Sequence, residues 1–136
     1  MASRGRSAKQ KGANYERKIA KKFQEEYGVE LKRTPQSGGF AYGNEKAEDF
    51  RGDIIPIEKG VDLLLHIECK NQNTWKLKEW LKQAEEDCPK GRIPVVVFHK
   101  QGTSKDYIVL NLEDFFKLVE KEKIFVETRE STTHHL

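Results

Sequence analysis

The chain has 136 residues, 36% of them hydrophobic and 35% charged, with a formal net charge of +3. That length supports one domain around one core. No apolar run is long enough to span a bilayer and the opening MASRGRSAKQKG has no apolar signal region, so a cytoplasmic protein is expected.

The charge is unevenly spread. Residues 1–33 hold ten basic and four acidic side chains, a net of +6, which leaves −3 for the rest. A basic end on a near-neutral body points to phosphates or another anionic surface, or else to a solvated arm. Residues 1–11 are small and basic and are expected as a flexible arm; Arg4 and Arg6 in it are candidate phosphate contacts. A single domain is expected over 12–127 and a disordered tail over 128–136, with no role for His134 and His135. The two cysteines, Cys69 and Cys88, fit no zinc spacing and are expected as free, buried thiols.

The first helix is predicted over Gly12 to Tyr27, with Gly28 as its stop. Ile19, Ala20, Phe23 and Tyr27 form its apolar stripe at about 100° per residue. Glu16 falls inside that stripe, where an acid is costly unless something pairs with it. VELKRT, 29–34, alternates like a strand. The polar, glycine-rich stretch 35–52 follows; a loop this long is expected to be functional or disordered. Its aromatics Phe40, Tyr42 and Phe50 have no evident core to join.

Asp53 to Ile57 and Asp62 to Lys70 are predicted as two strands of a hairpin turning at EKG. TWKLKEWLKQAEEDC is a helix that packs through Leu77, Trp80, Leu81, Ala84 and Cys88. IPVVVFH is a central strand, and YIVLN another after the turn QGTSKD. Asn111 is expected to cap a last helix, LEDFFKLVEKEK, packing through Leu112, Phe115, Phe116 and Val119. The order α-β-β-β-α-β-β-α predicts an α/β domain with a mixed sheet flanked by helices.

The hairpin carries the chemistry. Residues two apart in a strand share a face about 6.6 Å from each other, so Glu68 and Lys70 point the same way. A hairpin turning at EKG returns Asp53 beside Ile67 or Glu68. Two carboxylates and one ammonium then converge at the sheet's end. Oxygen-only ligands select a hard cation such as Mg²⁺, and the Cys69 carbonyl is a further candidate ligand. Such a site polarises a phosphodiester and activates water, with Lys70 orienting that water or stabilising charge. The competing reading is a structural Glu68–Lys70 salt bridge. His66, on the face of Glu68, and His99 are expected as packed histidines; Trp75 is a candidate for base stacking, and Trp80 for the core.

These residues resemble the PD-(D/E)xK nuclease superfamily, and within it the archaeal-type Holliday junction resolvases, including phage-encoded versions. KGANYERKIAKKF is similar to that family's first helix through Lys11, Gly12, Glu16 and Arg17. KRTPQSGG resembles its loop at Arg33 and Ser37, GDIIPI its metal aspartate strand at Asp53, and IECK its ExK strand at Glu68 and Lys70. The resemblance implies a restriction-endonuclease-like fold with Asp53, Glu68 and Glu16 as metal carboxylates and Lys70 as the catalytic lysine. It implies DNA contacts from Lys11, Arg17, Arg33 and Ser37, and more weakly a site role for Gln83. Mg²⁺ is the implied cofactor, with Mn²⁺ as substitute; the partners are branched DNA and a second copy of the chain, in a cell or phage-infected host. The stretch between Ser37 and Asp53 is longer than in the archaeal enzymes, which most affects Ser37. Asp49 is a rival to Asp53 but lies in a polar loop. Two other readings are a nuclease of duplex, nicked or flap DNA with the same site, and a non-catalytic nucleic-acid-binding module.

Overall fold

A computed structural model describes residues 2–34, 53–56 and 63–126, with side chains from residue 8 onward. Helix α1 runs Ala2–Tyr27 and is followed by strands β1, Leu31–Arg33, β2, Ile54–Pro56, and β3, Leu65–Lys70. Helix α2, Leu77–Asp87, leads to β4, Ile93–His99, and β5, Asp106–Val109; two short helices, α3, Leu112–Leu118, and α4, Lys121–Ile124, close the described chain. The domain is therefore mixed α/β.

The first helix starts well before the expected Gly12, so residues 2–11 are helical backbone rather than an extended arm. Alanine, arginine, lysine and glutamine are good helix formers, and once Tyr15, Ile19 and Ala20 are packed the helix extends N-terminally at little cost per residue. Its stop is Gly28, whose φ of +72° suits glycine and whose N–H bonds the Gln24 carbonyl at 2.8 Å. Tyr27, expected in the buried stripe, is 71% exposed, its ring tilted against Phe23 with centroids 6.1 Å apart; Tyr15, at 4% exposed, takes its place in the core.

The strands form two sheets. In one, β1 and β2 pair antiparallel, with Leu31 opposite Pro56 and Arg33 opposite Ile54. In the other, β3 pairs parallel with β4 and β4 antiparallel with β5. The expected single sheet and the β2–β3 ladder are therefore corrected. Among the described residues one backbone bond, Asp53 N–H to the Ile67 carbonyl at 2.8 Å, links the two sheets at this edge, while β2 pairs with β1 and β3 with β4. The EKG turn lies outside the described residues.

Strand β4 is the centre of the molecule. Alternation sends Val95 and Val97 to one face, with Ile67, Tyr15, Ile19 and Ala20 of α1; Val96 and Phe98 go to the other, with Trp80 and Ala84 of α2. Both faces of the central strand are thus covered, one by α1 and the other by α2. That is the physical reason for a second correction: Leu112 and Phe116 of α3 are 59% and 57% exposed, and Phe115 is exposed too, so the apolar periodicity of α3 finds no place on β4. The last helix also breaks in two at Val119, whose backbone is extended and whose N–H closes on the Phe115 carbonyl. Asn111 caps α3 as expected, its side chain accepting from the Glu113 N–H at 2.8 Å. Both cysteines are free, and both are half-buried rather than buried. No helix among the described residues is long and apolar enough to cross a membrane.

Candidate functional site

The edge where β2 meets β3 gathers the predicted acids. Asp53 precedes β2; its backbone N–H bonds the Ile67 carbonyl, and its Oδ2 accepts the Cys69 N–H at 2.6 Å. In a strand a residue's N–H and C=O point to the same side, so the Cys69 carbonyl also faces the Asp53 edge. Burial, and then the charge of Glu68, push the Asp53 carboxyl from 3.8 up to about 7, with the Cys69 N–H and Lys70 pulling the other way and Glu16 adding to the rise. Asp53 thus lies in the fields of Glu68, Glu16 and Lys70 together.

Glu68 has a partner that its strand position supplies. His66, two residues earlier on the same face, is fully buried and lies 3.0 Å through Nε2 from Glu68 Oε1. A carboxylate only accepts, and His66 Nδ1 has no partner among the described residues, so the proton sits on Nε2. His66 is therefore both the expected packed histidine and a fixed donor to Glu68.

Glu16 is buried on α1 as its place in the stripe requires. The group that pairs with it is Arg33, whose Nε lies 3.0 Å from Glu16 Oε1. Arg33, expected at phosphate, makes this pair through Nε. A cavity of about 650 Å³ opens beside it, lined by Lys9, Gln10, Gly12, Ala13, Glu16, Arg17 and Arg33. Arg17 is exposed and donates to Asn14 Oδ1 at 2.9 Å, and Lys11 is exposed on another side of α1. Gln83 is exposed on α2 and donates to Asp87 one turn on, so the structure does not bring it to the carboxylates. Trp75 packs edge-on against Phe98 at 4.9 Å and remains partly exposed, while Trp80 is core as expected. Ser37, Asp49 and the aromatics of the long loop lie outside the described residues, as do the side chains of Arg4 and Arg6.

Among the described residues no three His, Cys, Asp or Glu groups stand close enough together to enclose a metal ion. What the site offers is a pair of carboxylates, Asp53 and Glu68, with a backbone carbonyl on the same edge. That donor set is all oxygen, and burial and then the neighbouring acids raise the Asp53 carboxyl to about 7. It fits a hard divalent cation that takes one or two carboxylates and keeps its waters.

Sequence reasoning missed a second cluster, centred on Asp106. Its Oδ1 accepts from the Tyr15 hydroxyl at 2.7 Å and lies 2.9 Å from His99 Nδ1; its Oδ2 lies 2.6 Å from Lys22 Nζ. Burial opposes ionisation there, but the hydrogen bonds from Lys22, His99 and Tyr15 outweigh it and hold the carboxyl down at about 2. The signal was legible: Asp106 leads an apolar strand just as Asp53 does.

The model of one protein family, described as "Phage putative PDDEXK endonuclease", matches residues 7–135. No curated protein and no solved structure matches the chain.

Proposed function

The chain belongs to this family of phage PDDEXK endonucleases, and from that premise we propose that it is a divalent-metal-dependent, structure-selective DNA endonuclease that resolves four-way junctions. The observation that carries the reading is the Asp53–Glu68 pair: burial and mutual repulsion raise Asp53 to about 7, and a cation is the cheapest relief. Asp53 and Glu68 would hold that cation, with the Cys69 carbonyl beside them. Mg²⁺ suits the donor set, and Mn²⁺ would substitute. Bound there, the ion supplies a Lewis acid for the phosphodiester and acidifies a water.

The protein's own groups do the rest. Lys70 shares the strand face of Glu68, so its ammonium is placed to orient the attacking water and to stabilise charge on the phosphate. His66 holds the Glu68 carboxylate in one orientation. The Glu16–Arg33 pair keeps an acid at the site's edge without leaving its charge unpartnered in the core. Cutting two strands symmetrically calls for two such sites, which a C2 homodimer provides, in the cytoplasm of the host cell. The element order, with an acid-led strand before the ExK strand and a helix after it, supports a restriction-endonuclease-like core.

The experiment is cleavage of labelled four-way junction, duplex, nicked and flap DNA with Mg²⁺ and with EDTA. Junction cleavage that needs Mg²⁺ and exceeds duplex cleavage is expected. Equal cleavage of duplex or flap would make the chain a general nuclease of the same family. Binding without cleavage in any divalent metal would reduce it to a nucleic-acid-binding module.

A further inference from the structure

The two flanks of the buried stripe of α1 carry different cavities. One borders Glu16 and Arg33. The other, of about 450 Å³, is lined by Lys11, Asn14, Lys18, Asn71 and His99, together with Gln10 and Tyr15. No acid lines it among the described residues. Asp106 lies behind His99 and Tyr15, holding both and Lys22 by hydrogen bonds and feeling the charge of Lys18.

The polar groups of this cavity present donors. Asn14 Oδ1 accepts from Arg17, and arginine has no acceptor, so the Asn14 amide must be oriented with its oxygen on Arg17 and its NH₂ available to the cavity. Asn71 Oδ1 accepts from Gln101 Nε2, and in that arrangement the Asn71 NH₂ is its other end. Asp106 fixes the His99 ring through Nδ1. Two ammonium groups and two amide N–H donors around an acid-free space form an anion site.

We propose that this cavity is a phosphate subsite for the nucleic-acid strand, in which Lys11 and Lys18 supply charge and Asn14 and Asn71 supply N–H donors. Asn71 follows Lys70 at the end of β3, so the cavity opens at the same end of that strand as the proposed site, on the face covered by α1. A nucleic-acid strand engaged at this end of β3 would pass both, and the phosphate held in the cavity would belong to that backbone. The inference rests on the nuclease reading for the identity of the polymer. His99 and Asp106 are positioning residues in it, holding the wall against which the phosphate seats.

The test measures binding rather than cleavage, with the full chain in EDTA and a short fluorescein-labelled duplex followed by anisotropy across a salt series. Lys18→Gln is expected to reduce the log–log salt slope by about 0.9, the share of one phosphate contact. Asn14→Leu is expected to weaken binding about five-fold with the slope unchanged, because a neutral donor releases no counterion. Methylphosphonate substitution along one strand should find a phosphate whose neutralisation weakens wild-type binding but not that of Lys18→Gln. Both residues are exposed on α1, so each variant should keep the wild-type circular dichroism. An unchanged salt slope in Lys18→Gln, or equal methylphosphonate sensitivity of variant and wild type at every position, would overturn the subsite. Loss of the nuclease reading is a separate result: a wild type that cleaves nothing in Mg²⁺ yet shows this binding pattern loses the enzyme and keeps the subsite.

Discussion

Asp53 and Cys69, sixteen residues apart in sequence, are joined by a 2.6 Å hydrogen bond from the Cys69 backbone N–H to the Asp53 carboxylate. This bond anchors the acid against the ExK strand and sets its distance from Glu68. It favours the ionised carboxylate, while burial and Glu68 oppose it and prevail. The tension between these effects has consequences for pH, metal and mutation.

Without divalent metal, stability should depend on pH through Asp53. Folding raises this carboxyl from 3.8 to about 7, so the folded state binds its proton more tightly than the unfolded chain does. The corresponding stabilisation is fully present below 3.8 and is lost as pH rises through about 7. Asp53→Asn, which mimics the protonated form, should match wild type in urea melts below pH 3.8 and exceed it increasingly as pH rises toward about 7. A stability difference between the two that is flat with pH would contradict the shift. Adding Mg²⁺ should narrow the gap at high pH.

Asp53→Asn, Glu68→Gln and Lys70→Met should each lower Mg²⁺-dependent cleavage by about 100-fold or more. DNA affinity should stay close to wild type, since the charge that attracts phosphate lies on α1. Cleavage at the wild-type rate in either carboxylate variant would remove the metal-site assignment.

The Glu16–Arg33 pair is tested by a double-mutant cycle in chemical denaturation. Its side chains are 9% and 21% exposed, so removing one partner takes a charge-assisted hydrogen bond from a mostly buried group. Arg33→Met should cost about 1–3 kcal/mol. Adding Glu16→Gln should recover most of that loss, through a coupling that additive effects would not produce. Purely additive losses would mean that the pair contributes nothing as a pair.

The sheet core and helix α3 predict very different costs of truncation. Ile67 has no exposed surface, and Ile67→Ala should cost about 2–5 kcal/mol. Phe116, 57% exposed on α3, should lose less than about 0.5 kcal/mol as Ala. Thermal melts of the two variants side by side provide the comparison. A large loss at Phe116 would show that something covers α3 in solution.

Much of this was written in local pattern. The apolar run at Ile93–His99 marks a strand buried on both faces, and it is the centre of the sheet. Gly28 and Asn111 are punctuation that works through a few neighbouring atoms, so their roles are readable from the sequence alone. Asp53, Glu68 and Lys70 are legible as a group because strand alternation and a short return path nearly dictate their meeting. Glu16 is legible as an anomaly, since an acid on an apolar stripe demands a partner. Which partner is a long-range matter: Arg33 reaches it only because β1 packs beside α1. The same holds for Asp106, two of whose donors, Tyr15 and Lys22, come from α1 at the other end of the chain, while His99 lies seven residues back on β4. The apolar face of α3 shows the limit from the other side. Periodicity states that a face prefers burial, but only the packing of α1 and α2 decides whether a place on β4 is left for it. Short-range propensity and alternation are properties of the sequence itself, whereas pairing across the fold depends on competition among all the elements for the same surfaces, and only the tertiary structure settles that.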